Sequence, residues 1–186
     1  MNNDVWLVGT GPMAVEYNKV LSSMGENVTV VGRGSESGAV FEGKTGKKPI
    51  LGGIEPFLSE RREPACFAIV AVGIESLEHT TIDLLKAGVR RILVEKPGAL
   101  SYAGISAINE AAGIAGAEVF VAYNRRFYAS VLEVQRRIKD EGGLRSILFE
   151  FTEWSHQIEK LPTADKIKNR WLLANPTHVI DLAFHL

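Results

Sequence analysis

Cysteine is nearly absent from this sequence, since Cys66 is the only one among 186 residues. A single thiol excludes an internal disulfide framework and a cysteine-based zinc site, and it favours a reducing compartment. We place Cys66 inside a strand, as an inert thiol of the core. The four histidines show no zinc-type ligand spacing, so we predict no metal site.

An excess of charge of one sign is also missing, as are long apolar runs. The 21 Lys and Arg residues are balanced by 22 Asp and Glu residues, which argues against nucleic acid or an anionic membrane as partner. No apolar run approaches the roughly 18 residues that a bilayer crossing needs. The chain starts directly on an apolar strand without a signal-peptide pattern, so we predict a cytoplasmic globular protein.

What the sequence does contain is an alternation of short β-rich runs and helical stretches. This alternation is typical of βαβ units, in which a parallel sheet carries helices on both faces. We therefore predict a doubly wound α/β domain over residues 1–123. Its predicted strands are Val5–Val8, Val28–Val31, Ala65–Val72, Arg91–Glu95 and Glu118–Tyr123, with a short strand near Ile50. Its predicted helices start at Pro12, near Ser35, at Ser76 and at Ser101, and the first buries Met13, Tyr17, Val20, Leu21 and Met24.

The pattern changes after Tyr123 and predicts a different kind of domain. We expect a helix over Tyr128–Glu141, an alternating strand over Ser146–Trp154, a loop over 155–170 and a further helix from residue 175. A half-buried strand belongs to an open, mainly antiparallel sheet, and one strand cannot form a sheet by itself. Residues 124–186 are therefore interpreted as the beginning of a second, α+β open-sheet domain, which is either incomplete here or completed by something else.

A glycine-rich turn of the form G-x-G-x-x-A joins the first strand to the first helix. Gly9 permits the tight turn, Gly11 lets the backbone approach a pyrophosphate, and the small Ala14 allows close helix–strand contact. The helix N-terminus offers free N–H groups to phosphates. A structural turn without a ligand is the alternative. The predicted cofactor contacts here are Gly9, Thr10, Gly11, Pro12 and Met13.

The end of the second strand indicates which dinucleotide binds. NAD sites usually carry an acidic residue about 20 residues after the glycine turn, and Val31-Gly32-Arg33-Gly34 contains none. Arg33 can form a fork around a 2′-phosphate, and Ser35 can add a hydroxyl group. The sequence therefore favours NADP, with NAD and a solvated Arg33 as the alternative.

Lys96 follows the strand that ends in Val94-Glu95 and precedes Pro97. Ligands of such sheets lie outside the carboxyl ends of the strands, where Lys96 would meet a nicotinamide ring. A lowered pKa would let its amine exchange a proton near neutral pH, although a turn lysine paired with a carboxylate fits the sequence equally well. Val72, Glu95 and Lys96 complete the predicted cofactor contacts.

Four motifs occur in an order that resembles the glucose–fructose oxidoreductase/inositol dehydrogenase/MocA family, over nearly the whole chain. They are Gly9–Ala14, Glu95-Lys96-Pro97, Tyr123-Asn124-Arg125-Arg126-Phe127 and His178-Val179-Ile180-Asp181. The resemblance implies a Rossmann domain joined to an open-sheet domain for substrate binding and oligomerisation, here residues 124–186. It implies NAD(P)-dependent oxidoreduction of sugars, cyclitols, nucleotide sugars or related small molecules. It also implies that Lys96 is catalytic and that the Lys96-Pro97 bond is cis.

The last motif departs from the family pattern. The family commonly has an aspartate four residues before its catalytic histidine, and this sequence has Ala174 there. The resemblance makes His178 a second catalytic candidate and makes Tyr123, Arg126 and Asp181 candidate substrate contacts. A core histidine, a packing tyrosine, a hinge arginine and a structural aspartate are the alternatives.

These observations predict an oxidoreductase that transfers a hydride between nicotinamide and a carbinol or ketone carbon of a small molecule. The family resemblance further implies a homo-oligomer. The replacement at Ala174 leaves a non-catalytic dinucleotide-binding sensor open as an alternative. The unfinished sheet leaves open an interaction module completed by a strand of a partner.

Overall fold

The computed structural model describes residues 4–60 and 63–186, and these form two compact units. One unit comprises the described residues up to Val121, and the other is Ala122–Leu186. The division falls two residues before the boundary that the sequence predicts.

Within the described residues, the first unit is built around a parallel sheet of the strands β1 Asp4–Val8, β2 Asn27–Val31, β3 Phe67–Val70, β4 Arg91–Val94 and β5 Glu118–Val121. Their order across the sheet is β2-β1-β3-β4-β5. The chain passes from β1 outward to β2 and then returns across β1 to β3, so the order reverses between β1 and β3. A crevice for a ligand forms at such a switch point, outside the carboxyl ends of the strands. The doubly wound α/β class is confirmed.

The interior strand β1, which lies between β2 and β3, shows why the sheet needs two helical layers. All five of its residues are buried, and successive side chains point to opposite faces. Val5 and Leu7 pack into one apolar cluster, while Trp6 and Val8 pack into another. Each face of the sheet therefore has its own core, and an uninterrupted apolar run such as Val5–Val8 is the sequence pattern that this requires.

The predicted helices of the first unit form within a few residues of their predicted bounds. They are α1 Pro12–Ser23, α2 Ser35–Thr45, α4 Leu77–Lys86 and α5 Tyr102–Ala115, to which the structure adds α3 Ile54–Glu60. Ser101 caps α5 by accepting a hydrogen bond from the backbone N–H of Gly104 at 3.0 Å. The strand predicted near Ile50 is reduced to a single bridge between Ile50 and Val31.

The buried side of α1 differs from the predicted one. Ala14, Val15, Asn18 and Leu21 are buried, whereas Met13, Val20 and Met24 are exposed. The glycine turn brings the start of α1 close to the sheet, and small side chains fit that space better than methionine. The spacing of the large apolar residues therefore predicted the wrong buried face of α1.

Three strands, β3, β4 and β5, are shorter than predicted, and the shortening of β3 and β5 relocates two residues. The pairing of β3 with β1 begins at Phe67, so Cys66 lies at the rim of the sheet and is exposed. Its backbone N–H and its thiol both contact the carbonyl oxygen of Asp4, at 3.2 and 3.3 Å. The core placement of Cys66 was therefore wrong. Strand β5 likewise ends at Val121, and Tyr123 lies beyond the sheet.

The second unit is helical wherever the structure assigns regular elements to it. A 3₁₀ turn at Asn124–Phe127 contacts both α6 (Ala129–Asp140) and α10 (Thr177–His185), and these two confirm the predicted helices. No helix of the described chain combines the length and apolar character needed to cross a membrane. The helices are α6 Ala129–Asp140, α7 Ser155–Ile158, α8 Asp165–Lys168, α9 Trp171–Ala174 and α10 Thr177–His185.

The strand predicted over Ser146–Trp154 does not form. Residues 144–154 carry no regular structure in the described chain and are exposed, with Leu148 96% accessible. A strand is stabilised by hydrogen bonds to a neighbouring strand, and the described part of this unit contains no such neighbour. The predicted loop over 155–170 was also wrong, because it contains α7 and α8.

Candidate functional site

The glycine turn lies at the carboxyl end of β1, between the ends of β2 and β3. Gly9 has a φ of 128°, and its N–H donates to the carbonyl oxygen of Val31 at 2.8 Å. A Cβ at Gly9 would lie 2.2 Å from the carbonyl oxygen of Ala71. Both the backbone conformation and the close approach of the chain therefore require glycine at this position.

Gly11 occupies a very different environment at the N-cap of α1. No atom of the described residues lies within 4 Å of the place where its Cβ would stand, and none of their side chains caps this helix end. The first-turn N–H groups are therefore open to a ligand, while Ala14 is fully buried behind them. This arrangement of an open backbone, an uncapped helix and a small packing residue fits a pyrophosphate.

A second uncapped helix end adjoins the glycine turn. Thr10 shares a hydrogen bond of 2.9 Å with Ser37, which lies in the first turn of α2. Ser35 starts α2, and its N-cap Gly34 has no side-chain capping bond among the described residues. Arg33 is exposed just before this helix, and a Cβ at Gly53 would lie 3.8 Å from its Cγ. Arg33 and Ser35 thus lie in the segment at the start of α2, and the hydrogen bond of Thr10 holds this segment against the glycine turn.

The third component is the segment that follows β4. The Glu95 N–H donates to the carbonyl oxygen of Val70 at 2.9 Å, and the Lys96-Pro97 peptide bond is cis, as the family resemblance implies. The phenol of Tyr17 donates to Oε1 of Glu95 at 2.6 Å. Burial, reinforced by this carboxylate, raises the pKa of Tyr17. The structure therefore ties α1 to the residue that precedes Lys96.

The first unit thus gathers all the predicted cofactor residues along one edge of its sheet. They belong to the segments that follow the carboxyl ends of β1, β2, β3 and β4. Val72, which follows β3, is half-buried and packs against the apolar core of the sheet. His79, in the first turn of α4, is exposed. Within residues 4–60 and 63–186, no three or more His, Cys, Asp or Glu side chains group as metal ligands do.

The second unit brings its four candidate residues into one cluster. The Arg126 guanidinium binds both oxygens of Asp181, with Nε donating to Oδ2 at 2.8 Å and a second nitrogen donating to Oδ1. The rings of Tyr123 and His178 meet edge to face at 5.7 Å. His178 and Asp181 are three residues apart in α10 and therefore share a face of that helix. The 3₁₀ turn and α10 together build the cluster.

The charges of this cluster favour a positioning role for Asp181. Its hydrogen bonds raise the pKa of the Arg126 guanidinium, and the Asp181 side chain is only 10% exposed. Burial raises the pKa of Tyr123. Ala174, in the place of the family aspartate, is buried at the end of α9. The carboxylate of this cluster is thus already engaged by Arg126.

We expect Asp181→Ala to loosen α10. Loss of a two-point charged hydrogen bond should cost about 1–2 kcal/mol, a figure reduced from the buried case because Arg126 is 40% exposed. Hydrogen exchange of the α10 amides would measure the loss. Asp165→Ala is the matched control, because Asp165 is 91% exposed and should cost less than about 0.5 kcal/mol. Equal exchange in both variants would contradict a stabilising pair.

The sheet order, the glycine turn and the β4 segment together define a doubly wound α/β unit of the Rossmann type. Solved structures share this fold. Levoglucosan dehydrogenase, in complex with NADH and levoglucosan, is 20% identical with a TM-score of 0.77, and the match covers 100% of this chain and 54% of that one. The WlbA dehydrogenase from Chromobacterium violaceum, in complex with NADH and UDP-GlcNAcA, is 16% identical with a TM-score of 0.75, over 100% of this chain and 55% of that one.

A third similar structure is that of a reductase. Biliverdin reductase from Synechocystis, in complex with biliverdin and NADP⁺, is 18% identical with a TM-score of 0.63, over 74% of this chain and 43% of that one. The chain spans about half the length of these structures. No protein-family model matches it, and no curated protein matches it by sequence. The predicted resemblance is thus confirmed at the level of the fold.

Proposed function

We propose that this chain carries the cofactor-binding part of an NAD(P)-dependent oxidoreductase of the glucose–fructose oxidoreductase/inositol dehydrogenase/MocA type. The observation that carries the proposal is the position of Gly9–Ala14 and Glu95-Lys96-Pro97 at the same edge of one parallel sheet. The fold neighbours support it, because their structures hold NADH or NADP⁺ together with levoglucosan, a nucleotide sugar or biliverdin. The proposed substrate is a sugar, cyclitol, nucleotide sugar or related small molecule.

The roles of this chain's residues follow from where they lie. A bound nicotinamide cofactor accepts or supplies the hydride. The open N–H groups of α1 bind the pyrophosphate, and the Lys96 amine takes the proton from a carbinol or returns it to a ketone. His178 is the proposed second proton-transfer group, in the second unit. Tyr123 and Arg126 are the proposed substrate contacts, and Asp181 holds Arg126 in place.

We further propose NADP as the preferred cofactor. Strand β2 is followed by Gly32-Arg33-Gly34, with no carboxylate to bind a ribose 2′-hydroxyl. Arg33 and Ser35 at the start of α2 supply a positive charge and a hydroxyl group for a 2′-phosphate. Two of the three fold neighbours described above hold NADH. The proposed preference for NADP is therefore argued from Arg33 and Ser35 alone.

Titration of the chain with NADPH and NADH, followed by nicotinamide fluorescence, tests this preference. We expect Arg33→Ala to weaken NADPH about tenfold or more and to leave NADH within twofold, because the lost interaction is a charged hydrogen bond to the 2′-phosphate. Arg90→Ala is the control, since Arg90 is exposed just before β4, at the opposite edge of the sheet. Equal affinity of wild type for both dinucleotides would disprove the NADP preference.

A non-catalytic dinucleotide-binding sensor is the second candidate function. The buried Ala174 favours it, because the histidine motif then lacks the aspartate that commonly accompanies it in the family. Cofactor binding without turnover on any sugar, measured on the complete reading frame, would support the sensor. Homo-oligomerisation and a cytoplasmic location remain predictions from the sequence.

A further inference from the structure

The bond between Tyr17 and Glu95 joins two parts of the proposed site that are far apart in sequence. Tyr17 is the sixth residue of α1, and Glu95 directly follows β4. The phenol donates to Oε1 of Glu95 at 2.6 Å across a sequence separation of 78 residues, and both side chains are partly buried. Helical side chains lean toward the N-terminus of their helix, so the phenol reaches back toward the edge where the strands end.

We propose that Tyr17 is a positioning residue for the nicotinamide half of the cofactor, acting through Glu95. The inference rests on the proposed function and deepens it. A carboxylate has two acceptor oxygens, and the phenol of Tyr17 engages Oε1, so Oε2 is the second acceptor of Glu95. With Oε1 fixed, Oε2 accepts a hydrogen bond from a ribose hydroxyl or the carboxamide of the cofactor, next to Lys96.

The chemistry of the phenol suits this task. Burial raises the pKa of Tyr17, so the phenol remains a donor over the whole range in which enzymes work. A hydrogen bond from a neutral donor to a carboxylate is stronger in a partly buried site than in water. The same helix carries the uncapped pyrophosphate turn at its start. One rigid element therefore sets the distance between the phosphate contacts and the carboxylate beside the nicotinamide.

Tyr17→Phe separates positioning from plain structural support. We expect it to weaken the preferred dinucleotide about tenfold, the value for one charged hydrogen bond. Binding of the matching fragment, ADP or 2′-phospho-ADP, should stay within twofold, because this fragment keeps the phosphates and lacks the nicotinamide riboside. Tyr102→Phe is the matched control, since Tyr102 is 88% exposed at the start of α5, and it should change neither affinity.

Glu95→Gln completes the test, because it should weaken the dinucleotide alone and add nothing to Tyr17→Phe in the double variant. If Tyr17→Phe fails to fold, Glu95→Gln carries the test by itself. Unchanged dinucleotide affinity in these variants, or equal loss of dinucleotide and fragment, would overturn the positioning role while the proposed function stands. A wild-type chain that binds neither dinucleotide would overturn the proposed function and this inference with it.

Discussion

Gly9→Ala should destabilise the first unit strongly, whereas Gly11→Ala should keep the fold and lose affinity for the proposed cofactor. At Gly9 a methyl group would enter a backbone conformation with φ of 128° and lie 2.2 Å from the carbonyl oxygen of Ala71. The strain alone costs about 1–3 kcal/mol, and displacement of Ala71, the residue directly after β3, adds to it. A small domain has only about 5–15 kcal/mol of stability, so this substitution removes a large part of it.

At Gly11 the added methyl group meets no described atom within 4 Å, so the folding cost is about 1 kcal/mol or less. The methyl group instead stands where the backbone must approach a pyrophosphate, and we expect at least a tenfold loss of dinucleotide affinity. Urea unfolding and dinucleotide titration, run on both variants, would measure the contrast.

Gly43→Ala is the control for the glycine variants. Gly43 lies inside α2 with open space around it, so alanine should raise stability by about 0.5–1 kcal/mol through helix propensity. Its dinucleotide affinity should not change. A stable Gly11→Ala protein that binds the dinucleotide as wild type does would show that this turn is not the pyrophosphate site.

Lys96→Met should abolish turnover and spare cofactor binding. Methionine has nearly the length and apolar stem of lysine but no proton to exchange. A proton-transfer group is worth about 10²–10⁴ in rate, so we expect kcat to fall at least 100-fold while the dinucleotide Kd changes less than threefold. The assay follows reduction of the nicotinamide cofactor with levoglucosan and UDP-sugars as trial substrates, on the complete reading frame.

Lys86→Met serves as control for this experiment. Lys86 is exposed at the end of α4, away from the carboxyl edge of the sheet, and its loss should leave kcat unchanged. Full turnover by the Lys96→Met protein would remove Lys96 from the mechanism. A fall in dinucleotide affinity that matches the fall in kcat would show that Lys96 binds the cofactor and has no part in the chemistry.

The parts of the fold that the sequence predicted correctly depend on local patterns. Val5–Val8 is uniformly apolar because both faces of β1 are covered, and Gly9, Gly11 and Ala14 stand at spacings that one strand–turn–helix unit imposes. Residues close in sequence suffice for such predictions. The order of the motifs pointed correctly to the fold and to the cis bond before Pro97.

What the sequence could not show is pairing between distant residues. Tyr17 belonged to an apolar stripe in the pattern, and nothing in its neighbourhood indicates that Glu95 accepts its hydrogen bond. Arg126 and Asp181 were both identified as candidates, but their ion pair appears only when α10 packs on the 3₁₀ turn. The alternation of apolar and polar residues over Ser146–Trp154 likewise shows only a propensity for strand. Such a segment forms a strand only when it is hydrogen-bonded to a neighbouring strand.

The positions of the strands along the chain also bear on how the protein folds during synthesis. The proposed cofactor contacts all lie between Gly9 and Lys96, and four of the five strands are complete by Val94. Domains fold as units, N-terminal first, while the ribosome is still working. Once β5 has emerged, the nascent first unit can close around its own core and take up the proposed dinucleotide. Because a ligand that binds only the folded state stabilises it, the proposed cofactor would also favour folding during synthesis.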